Sequence, residues 1–176
     1  MKQPSISCLD VTGFDFHRED LADLLHACVH DGASVGFIQP FSLENSRNFW
    51  INKVRPSLVS GDTTLMIAKV GDEVAGTVQL CAGSMPNQAH RGEVSKLLVS
   101  PDFRKRGIAK TLMAELEKQA RDRDLTLITL DTRTGDNAEP LYKLLGYETA
   151  GVIPGFAQDP NDADKFDPTS YMYKLL

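Results

Sequence analysis

"LLVSPDFRKRGIAKTLM", residues 97–113, contains a strand pattern, a basic loop and the start of a helical pattern. Four cations surround Gly107 in the loop: Arg104, Lys105, Arg106 and Lys110. A glycine lets the backbone turn sharply and approach a ligand, and the free N–H groups of a first helical turn favour an anion. The loop therefore has two interpretations, a cradle for a pyrophosphate group or a basic turn on a solvated surface.

Strand and helix patterns alternate on both sides of this stretch. The predicted strands are residues 3–9, 64–70, 74–83, 93–99 and 125–131, followed by "YETAGVI" and "SYMYKLL". The predicted helices are residues 18–30, 43–58, 108–120 and 138–146. Pro56 should kink or end the second helix. The strand–helix–strand order over residues 93–131 requires a right-handed crossover and a parallel pair, whereas "GDE" at residues 71–73 makes a hairpin. We therefore expect a mixed α+β fold, with a largely antiparallel central sheet flanked by helices.

The bulk composition limits the classes of function. The chain has 176 residues, 41% hydrophobic and 24% charged, which predicts a single globular domain over residues 1–176. The net charge of −5 argues against a nucleic-acid partner and fits a cationic or zwitterionic substrate. Three scattered cysteines without a CxxC pair argue against a zinc or redox site. Because no segment has the pattern of a membrane span or a signal peptide, we expect a cytoplasmic protein, monomeric or homodimeric.

A second motif, "NAEPLYKLLGY" at residues 137–147, follows the strand predicted at residues 125–131. Together with R-x-x-G-x-A at residues 104–109, it resembles the GNAT superfamily of acyl-CoA-dependent N-acyltransferases, and the resemblance covers residues 64–150. The Walker pattern GxxxxGK(S/T) and the dinucleotide pattern GxGxxG are both absent. The resemblance implies the GNAT fold, with its one parallel strand pair splayed, and acetyl-CoA as co-substrate without a metal.

The resemblance also implies which residues hold coenzyme A. The basic loop would neutralise the pyrophosphate, and the backbone of the preceding strand would pair with the pantetheine arm almost like a neighbouring strand. Asn137 matches a residue often found near that arm. The implied cofactor-binding residues are Leu97, Leu98, Val99, Arg104, Lys105, Arg106, Gly107, Ile108, Ala109, Lys110 and Asn137.

Acyl transfer to an amine requires a base, an oxyanion site and an acid for the departing thiolate. Tyr142 matches the tyrosine that the family commonly uses as the acid, and packing on a short helix is the alternative. Glu93 and Asp131 are the candidate bases. By period two, Glu93 would share a strand face with Leu97 and Val99. Asp131 would end a parallel strand, at the edge where ligand sites gather. The alternatives are an exposed strand end for Glu93 and a turn cap for Asp131.

Three stretches carry a finer resemblance to the acetyltransferases that confer tabtoxin resistance: "GASVGF" (residues 32–37), "EVSKLLV" (93–99) and "IPGF" (153–156). Those enzymes act on a free amino group of an amino-acid-like toxin. The first and third stretches match segments that usually shape the acceptor pocket. We therefore expect acetylation of a small, amino-acid-like amine. Acetylation of a protein lysine or N-terminus, and a non-catalytic acyl-CoA sensor, are the alternatives.

Two further groups of residues predict no metal site. His26 and His30 stand one helical turn apart, but no third ligand is evident. The run "DPNDADKFD", residues 159–167, lacks the spacing, the glycine and the glutamate of a calcium loop. We expect this run to be a solvated loop at the edge of the substrate mouth.

Overall fold

Seven strands form one sheet in the computed structural model, which describes residues 3–176. The strands are β1 (Ser5–Leu9), β2 (Thr63–Val70), β3 (Glu73–Ala82), β4 (Arg91–Val99), β5 (Leu127–Arg133), β6 (Glu148–Gln158) and β7 (Phe166–Leu175). Their order across the sheet is β1-β2-β3-β4-β5-β7-β6. Within the described chain, β4 and β5 are the one parallel pair, and the other neighbouring strands are antiparallel. The expected mixed α+β fold is confirmed.

The α-helices are α1 (Val11–His30), α2 (Leu43–Phe49), α3 (Arg55–Ser60), α4 (Ile108–Asp122) and α5 (Ala138–Leu144). All predicted helices exist, but α1 begins at Val11, well before the predicted Arg18. The carboxylate of Asp10 accepts the N–H of Gly13 at 2.7 Å and caps this end. Because Gly13 is a poor helix former, the sequence pattern did not predict the first turn of this helix. Among the helices of residues 3–176, none has the length and apolar character that a membrane span needs.

Pro56 interrupts the second predicted helix without ending it. A π-helical turn, Trp50–Val54, joins α2 to α3, and the N–H of Arg55 donates to the carbonyl oxygen of Trp50. Pro56 then lies in the first turn of α3, where its missing N–H costs no hydrogen bond. The helical path therefore continues past Pro56 through a widened turn, and Trp50 and Val54 of this turn lie in the core.

The sheet separates two cores because successive residues of a strand point to opposite faces. Met66 and Ala68 of β2 pack in the core formed with α4 and α5. Leu65 and Ile67, which alternate with them, pack in the core formed with α1 and the segment from α2 to α3. Each face of the sheet is thus covered by a different set of helices.

The parallel pair is short. Residues 91–93 of β4 pair with residues 127–129 of β5, and beyond Glu93 the two strands separate. On its other side, β4 stays paired with β3 as far as Val99. The edge of β4 that faces β5 is therefore open over residues 94–99, and this splayed opening positions the site.

Candidate active site

A β-bulge lies in the open part of β4. Two residues of this strand, Lys96 and Leu97, stand opposite a single residue of β3, Val78. The φ angle of Lys96 is 50°, in the left-handed region that residues other than glycine rarely adopt. A bulge bends the strand, shifts the alternation of its side chains by one position and leaves backbone groups unpaired.

Because of the bulge, the prediction that Glu93 shares a face with Leu97 and Val99 is wrong. Val94, the neighbour of Glu93, packs in the core under α4, and Leu97 and Val99 pack against the same core. Glu93 therefore points to the opposite face, on the side of α1. The side chain of Leu98 is buried on that α1 side, so only its backbone belongs to the open edge.

The basic loop between β4 and α4 ends in an uncapped helix terminus. Gly107 stands directly before α4 with a φ of 79°, and no side chain caps the first turn. A Cβ atom at Gly107 would meet nothing within 4 Å, so the space in front of the terminus is open. The free N–H groups of the first turn and the helix dipole make this terminus an anion site.

The four cations of the loop are not equivalent. Arg104 forms a salt bridge with Asp31 at the end of α1, and its Nε donates to the carbonyl oxygen of Val99. The other three cations of the loop, Lys105, Arg106 and Lys110, form no ion pair with any carboxylate of residues 3–176. The guanidinium of Arg106 lies 5.0 Å from the centre of the Phe103 ring. The charge available to a bound anion therefore comes mainly from these three side chains and the helix terminus.

A cleft of about 300 Å³ opens where β4 and β5 separate. It contains both candidate bases, Glu93 from β4 and Asp131 from β5, and both are exposed there. The other lining residues are Arg91, Thr129, Leu130, Ala150, Tyr171, Met172 and Tyr173. The splay of the parallel pair thus brings together two carboxylates that are far apart in the sequence.

Asp131 does not end its strand and does not cap the following turn. β5 continues to Arg133, and Asp131 pairs with Tyr171 of β7 inside the sheet. In the turn itself, the carboxylate of Asp136 accepts the N–H of Asn137, which directly precedes α5. Within residues 3–176 the carboxylate of Asp131 makes no hydrogen bond, so it is available to a ligand in the cleft.

Tyr142 lies on α5 with its ring buried in the core. The ring meets that of Tyr147 edge to face, with centroids 5.8 Å apart. The hydroxyl has no hydrogen-bond partner in the described chain, yet it is not enclosed. Burial first, and then the negative charges of Asp131 and Asp136, raise the pKa of Tyr142, so the hydroxyl keeps its proton at neutral pH. The ring therefore packs, as the alternative interpretation predicts, while the hydroxyl remains free to donate a proton.

The acceptor side is the face of the sheet that carries the cleft of Glu93 and Asp131. Two loops on this side are joined by a hydrogen bond. The loop between α1 and α2 contains "GASVGF", and just after it the backbone N–H of Gln39 donates to the carbonyl oxygen of Pro160 at 2.9 Å. Pro160 belongs to the loop between β6 and β7. "IPGF" lies on β6, where Phe156 packs edge to face on Tyr171, a residue of the cleft wall. Of the three stretches that carried the finer resemblance, "IPGF" therefore packs against the cleft wall, and the loop that contains "GASVGF" is bonded to the loop that follows β6.

The acidic run that begins at Asp159 is only partly solvated, contrary to the prediction. Asp159 and Asp167 are buried, and both pair with Lys165 and Arg133. The hydrogen bond from Lys165 is the main cause that lowers the pKa of Asp159 to about 2. Arg133 also donates to the carbonyl oxygen of Gly32. These two aspartates therefore fix the acceptor-side loops rather than present free negative charge to a substrate.

Lys96 is a charged residue of the site that the sequence analysis did not single out. Its Nζ lies 5.7 Å from the centre of the Phe37 ring and 5.4 Å from that of Phe49. Burial lowers the pKa of Lys96, while nearby acidic groups, Asp131 foremost, oppose the shift. The signal in the sequence was a lysine inside the otherwise apolar end of "EVSKLLV", but its neighbours come from a distant loop and helix.

His26 and His30 of α1 are accounted for by packing. The Nε2 atom of His30 lies 2.9 Å from the carbonyl oxygen of Phe41, and the rings of His26 and His30 are 4.2 Å apart. In the part of the chain that the structure describes, no group of three or more His, Cys, Asp or Glu residues could hold a metal ion.

Comparison with known proteins shows which family the sequence of this chain matches. The model of the acetyltransferase (GNAT) family matches residues 12–147. An uncharacterized N-acetyltransferase from the hisH–hisA intergenic region of Azospirillum brasilense is 27% identical over 128 residues, which is 72% of this chain and 73% of that protein.

Solved structures share the fold. A ribosomal-protein-alanine N-acetyltransferase from Brucella melitensis has a TM-score of 0.77 at 21% identity and covers 98% of this chain and 99% of its own. An acetyltransferase from Salmonella typhimurium, solved with its cofactor acetyl-CoA, has a TM-score of 0.79 at 14% identity. The match covers 99% of this chain and 95% of the Salmonella chain. At these identities the likeness shows the fold alone. None of these three proteins is named for tabtoxin resistance, so that finer resemblance stays a prediction.

Proposed function

The chain belongs to the acetyltransferase (GNAT) family, and we propose on that premise that it acetylates a small, amino-acid-like amine. Acetyl-CoA is the donor of this family, so the chain is an acetyl-CoA-dependent N-acetyltransferase. The acceptor belongs to the proposal, and so does a role in detoxifying a toxin or an antimetabolite.

In this proposal, acetyl-CoA lies along the open edge of β4. The amides of its pantetheine arm pair with the backbone of residues 97–99, because β5 leaves that edge free. The pyrophosphate meets the N–H groups of residues 108–110, which no side chain caps. Lys105 and Arg106, which have no carboxylate partner in residues 3–176, add positive charge around the phosphates.

The thioester then lies beside the bulge, where β4 and β5 separate. A backbone N–H at Lys96 or Leu97 stabilises the oxyanion that forms on attack. Glu93 or Asp131, directly or through a water, takes a proton from the ammonium so that the neutral amine attacks the carbonyl carbon. As the C–S bond breaks, Tyr142 gives its proton to the thiolate. The nitrogen loses its second proton, Tyr142 is reprotonated from solvent, and the products are the N-acetylated acceptor and coenzyme A.

The cleft is the observation that supports a small acceptor most strongly. Its volume of about 300 Å³ is at the lower end of the range for small-molecule sites. Its two carboxylates, Glu93 and Asp131, outnumber its one cationic lining residue, Arg91, and provide the negative charge that an ammonium group requires. A lysine or N-terminus within a protein would need a wider groove to admit the neighbouring peptide.

Acetylation of a protein amine is the second candidate. The Brucella protein that shares this fold is named a ribosomal-protein-alanine N-acetyltransferase. The α-amine of a protein and that of a free amino acid are the same nucleophile, so the catalytic groups would serve either acceptor. A non-catalytic sensor is less favoured because a sensor has no need of two carboxylates in one cleft.

Release of the coenzyme A thiol tests this proposal. Free amino acids and their analogues, polyamines and lysine-containing peptides are compared at matched concentrations with acetyl-CoA as donor. We expect kcat/KM for the best amino acid to exceed that of the peptides by more than about tenfold. A peptide preference of that size contradicts the small acceptor and favours the second candidate. Binding of acetyl-CoA without turnover of any amine favours the sensor.

A further inference from the structure

Lys96 is a cation without an anion. Its side chain leaves the bulge of β4 toward the rings of Phe37 and Phe49, on the acceptor side of the sheet. Within residues 3–176, its ammonium forms no hydrogen bond and no salt bridge. The nitrogen is not enclosed either, so it can be reached from solvent.

Another partly buried lysine shows how unusual this is. Lys174 donates to both carboxylate oxygens of Glu117 and to the carbonyl oxygen of Leu145, at 2.7–2.9 Å. Such bonds offset the free energy that a charged group loses when it leaves water. Lys96 has two aromatic faces instead, and these attract a cation without supplying a hydrogen-bond acceptor. Its donors therefore remain available to an anionic group that approaches the bulge of β4.

Two carboxylates stand near Lys96 without pairing with it. Asp131 and Glu93 both affect the titration of Lys96, yet neither lies within salt-bridge distance of its nitrogen. The acceptor side therefore presents two carboxylates and an ammonium that do not neutralise each other in a salt bridge. An α-amino acid presents the complementary pair, an ammonium and a carboxylate on one carbon atom.

We propose that Lys96 binds the carboxylate of the acceptor while Glu93 and Asp131 face its ammonium, so that this enzyme selects amino acids over amines without a carboxylate. This inference rests on the proposed function and names the substrate class of the same site. The rings of Phe37 and Phe49, 5.7 and 5.4 Å from its nitrogen, hold the lysine chain in place. Lys96 is thus a specificity-determining residue that does not take part in proton transfer.

Paired substrates test this inference. A panel of free L-amino acids is assayed beside their carboxamides, each with the wild-type protein, Lys96→Met and Lys96→Arg, at saturating acetyl-CoA. For the wild-type protein we expect a KM for the acid about tenfold or more below that of its amide, as for a hydrogen bond to a charged group. Lys96→Met should remove this difference by raising the KM of the acids alone. Lys96→Arg should retain much of it.

The controls separate this role from others. Lys118→Met removes an exposed lysine from the outer face of α4 and should leave every KM unchanged. A loss of kcat with acids and amides alike in Lys96→Met would assign Lys96 to the oxyanion or to the fold and overturn the inference. Equal KM values for acids and amides in the wild-type protein overturn the inference alone. No turnover of either member of any pair contradicts the proposed function as well.

Discussion

The two sides of the open edge of β4 are built in different ways. On the donor side, one contiguous segment, residues 97–110, supplies the free strand edge and the uncapped terminus of α4. On the acceptor side, side chains from separate elements meet. Glu93 and Lys96 come from β4, Asp131 comes from β5, and Phe37 comes from the loop after α1.

This difference separates affinity for the donor from selection of the acceptor. Backbone N–H and C=O groups are the same at every residue, so the donor side depends on the path of the chain. The acceptor side depends on which side chains converge, and a change in one of them changes what the cleft accepts. Substitutions on the donor side should therefore alter the Kd for acetyl-CoA, and those on the acceptor side should alter KM or kcat for the amine.

The largest effect is expected at Tyr142, where the two sides meet. Tyr142→Phe removes the proton donor and should lower kcat by on the order of 10²-fold. The Kd for acetyl-CoA, measured by calorimetry, should stay nearly unchanged. The matched control is Tyr147→Phe, which removes an enclosed hydroxyl without a hydrogen-bond partner from the adjacent ring. Equal turnover by Tyr142→Phe and the wild-type protein would leave the residue with a packing role only.

The two candidate bases should differ from each other. Glu93→Gln and Asp131→Asn keep the shape of each side chain, and the true base should lose about thirtyfold in kcat/KM at neutral pH. The rise of kcat/KM with pH should also flatten in that variant, because the amide that replaces the base cannot accept the proton. Asp122→Asn, at the far end of α4, is the control. Normal pH profiles in both variants would show that neither carboxylate is the base.

A smaller effect is expected on the donor side. Gly107→Glu places bulk and negative charge before the terminus of α4, and the Kd for acetyl-CoA should rise by about tenfold, roughly 1.4 kcal/mol. Gly61→Glu is a closely matched control, because Gly61 has a φ of 82° and equally open surroundings. Both variants carry the same strain of a side chain at positive φ. If both change the Kd equally, or neither does, the loop does not hold the pyrophosphate.

The smallest effect is expected from a change in Arg133, whose hydrogen bonds hold the loops of the acceptor side in place. Arg133→Ala removes the bonds that join β5 to Gly32, Asp136 and Asp167. The melting temperature should fall by about 2–6 °C, and KM for the amine should rise by about threefold as the loop loosens. The Kd for acetyl-CoA should not change. An altered Kd with an unaltered KM would contradict the division between the two sides.

The donor side was readable from the sequence because its signals are local. Gly107 directly precedes an amphipathic helix, and the strand before it ends at Val99, as the spacing predicts. The strand–helix–strand order also predicted the parallel pair. The salt bridge of Arg104 was not predictable, because Asp31 belongs to a helix far away in the sequence.

The acceptor side was only partly readable because its contacts are distant in sequence. The prediction for Glu93 was wrong because the extra residue at Lys96 reverses the faces to which the following side chains point. No turn residue in the sequence indicates this bulge. Arg133 and the buried aspartates of the β6–β7 loop likewise pair only after folding. Composition predicted a solvated acidic loop where the structure has a neutralised cluster.

The position of acetyl-CoA in a crystal structure of its complex tests the central claim most directly. We expect the pantetheine amides to pair with the backbone of residues 97–99 and the pyrophosphate oxygens to lie on the N–H groups of residues 108–110. We also expect the thioester beside Lys96, with the Tyr142 hydroxyl directed at the sulfur and the cleft of Glu93 and Asp131 open to the carbonyl carbon. Acetyl-CoA bound away from the open edge of β4, or a thioester that faces neither Tyr142 nor the cleft, would contradict the account.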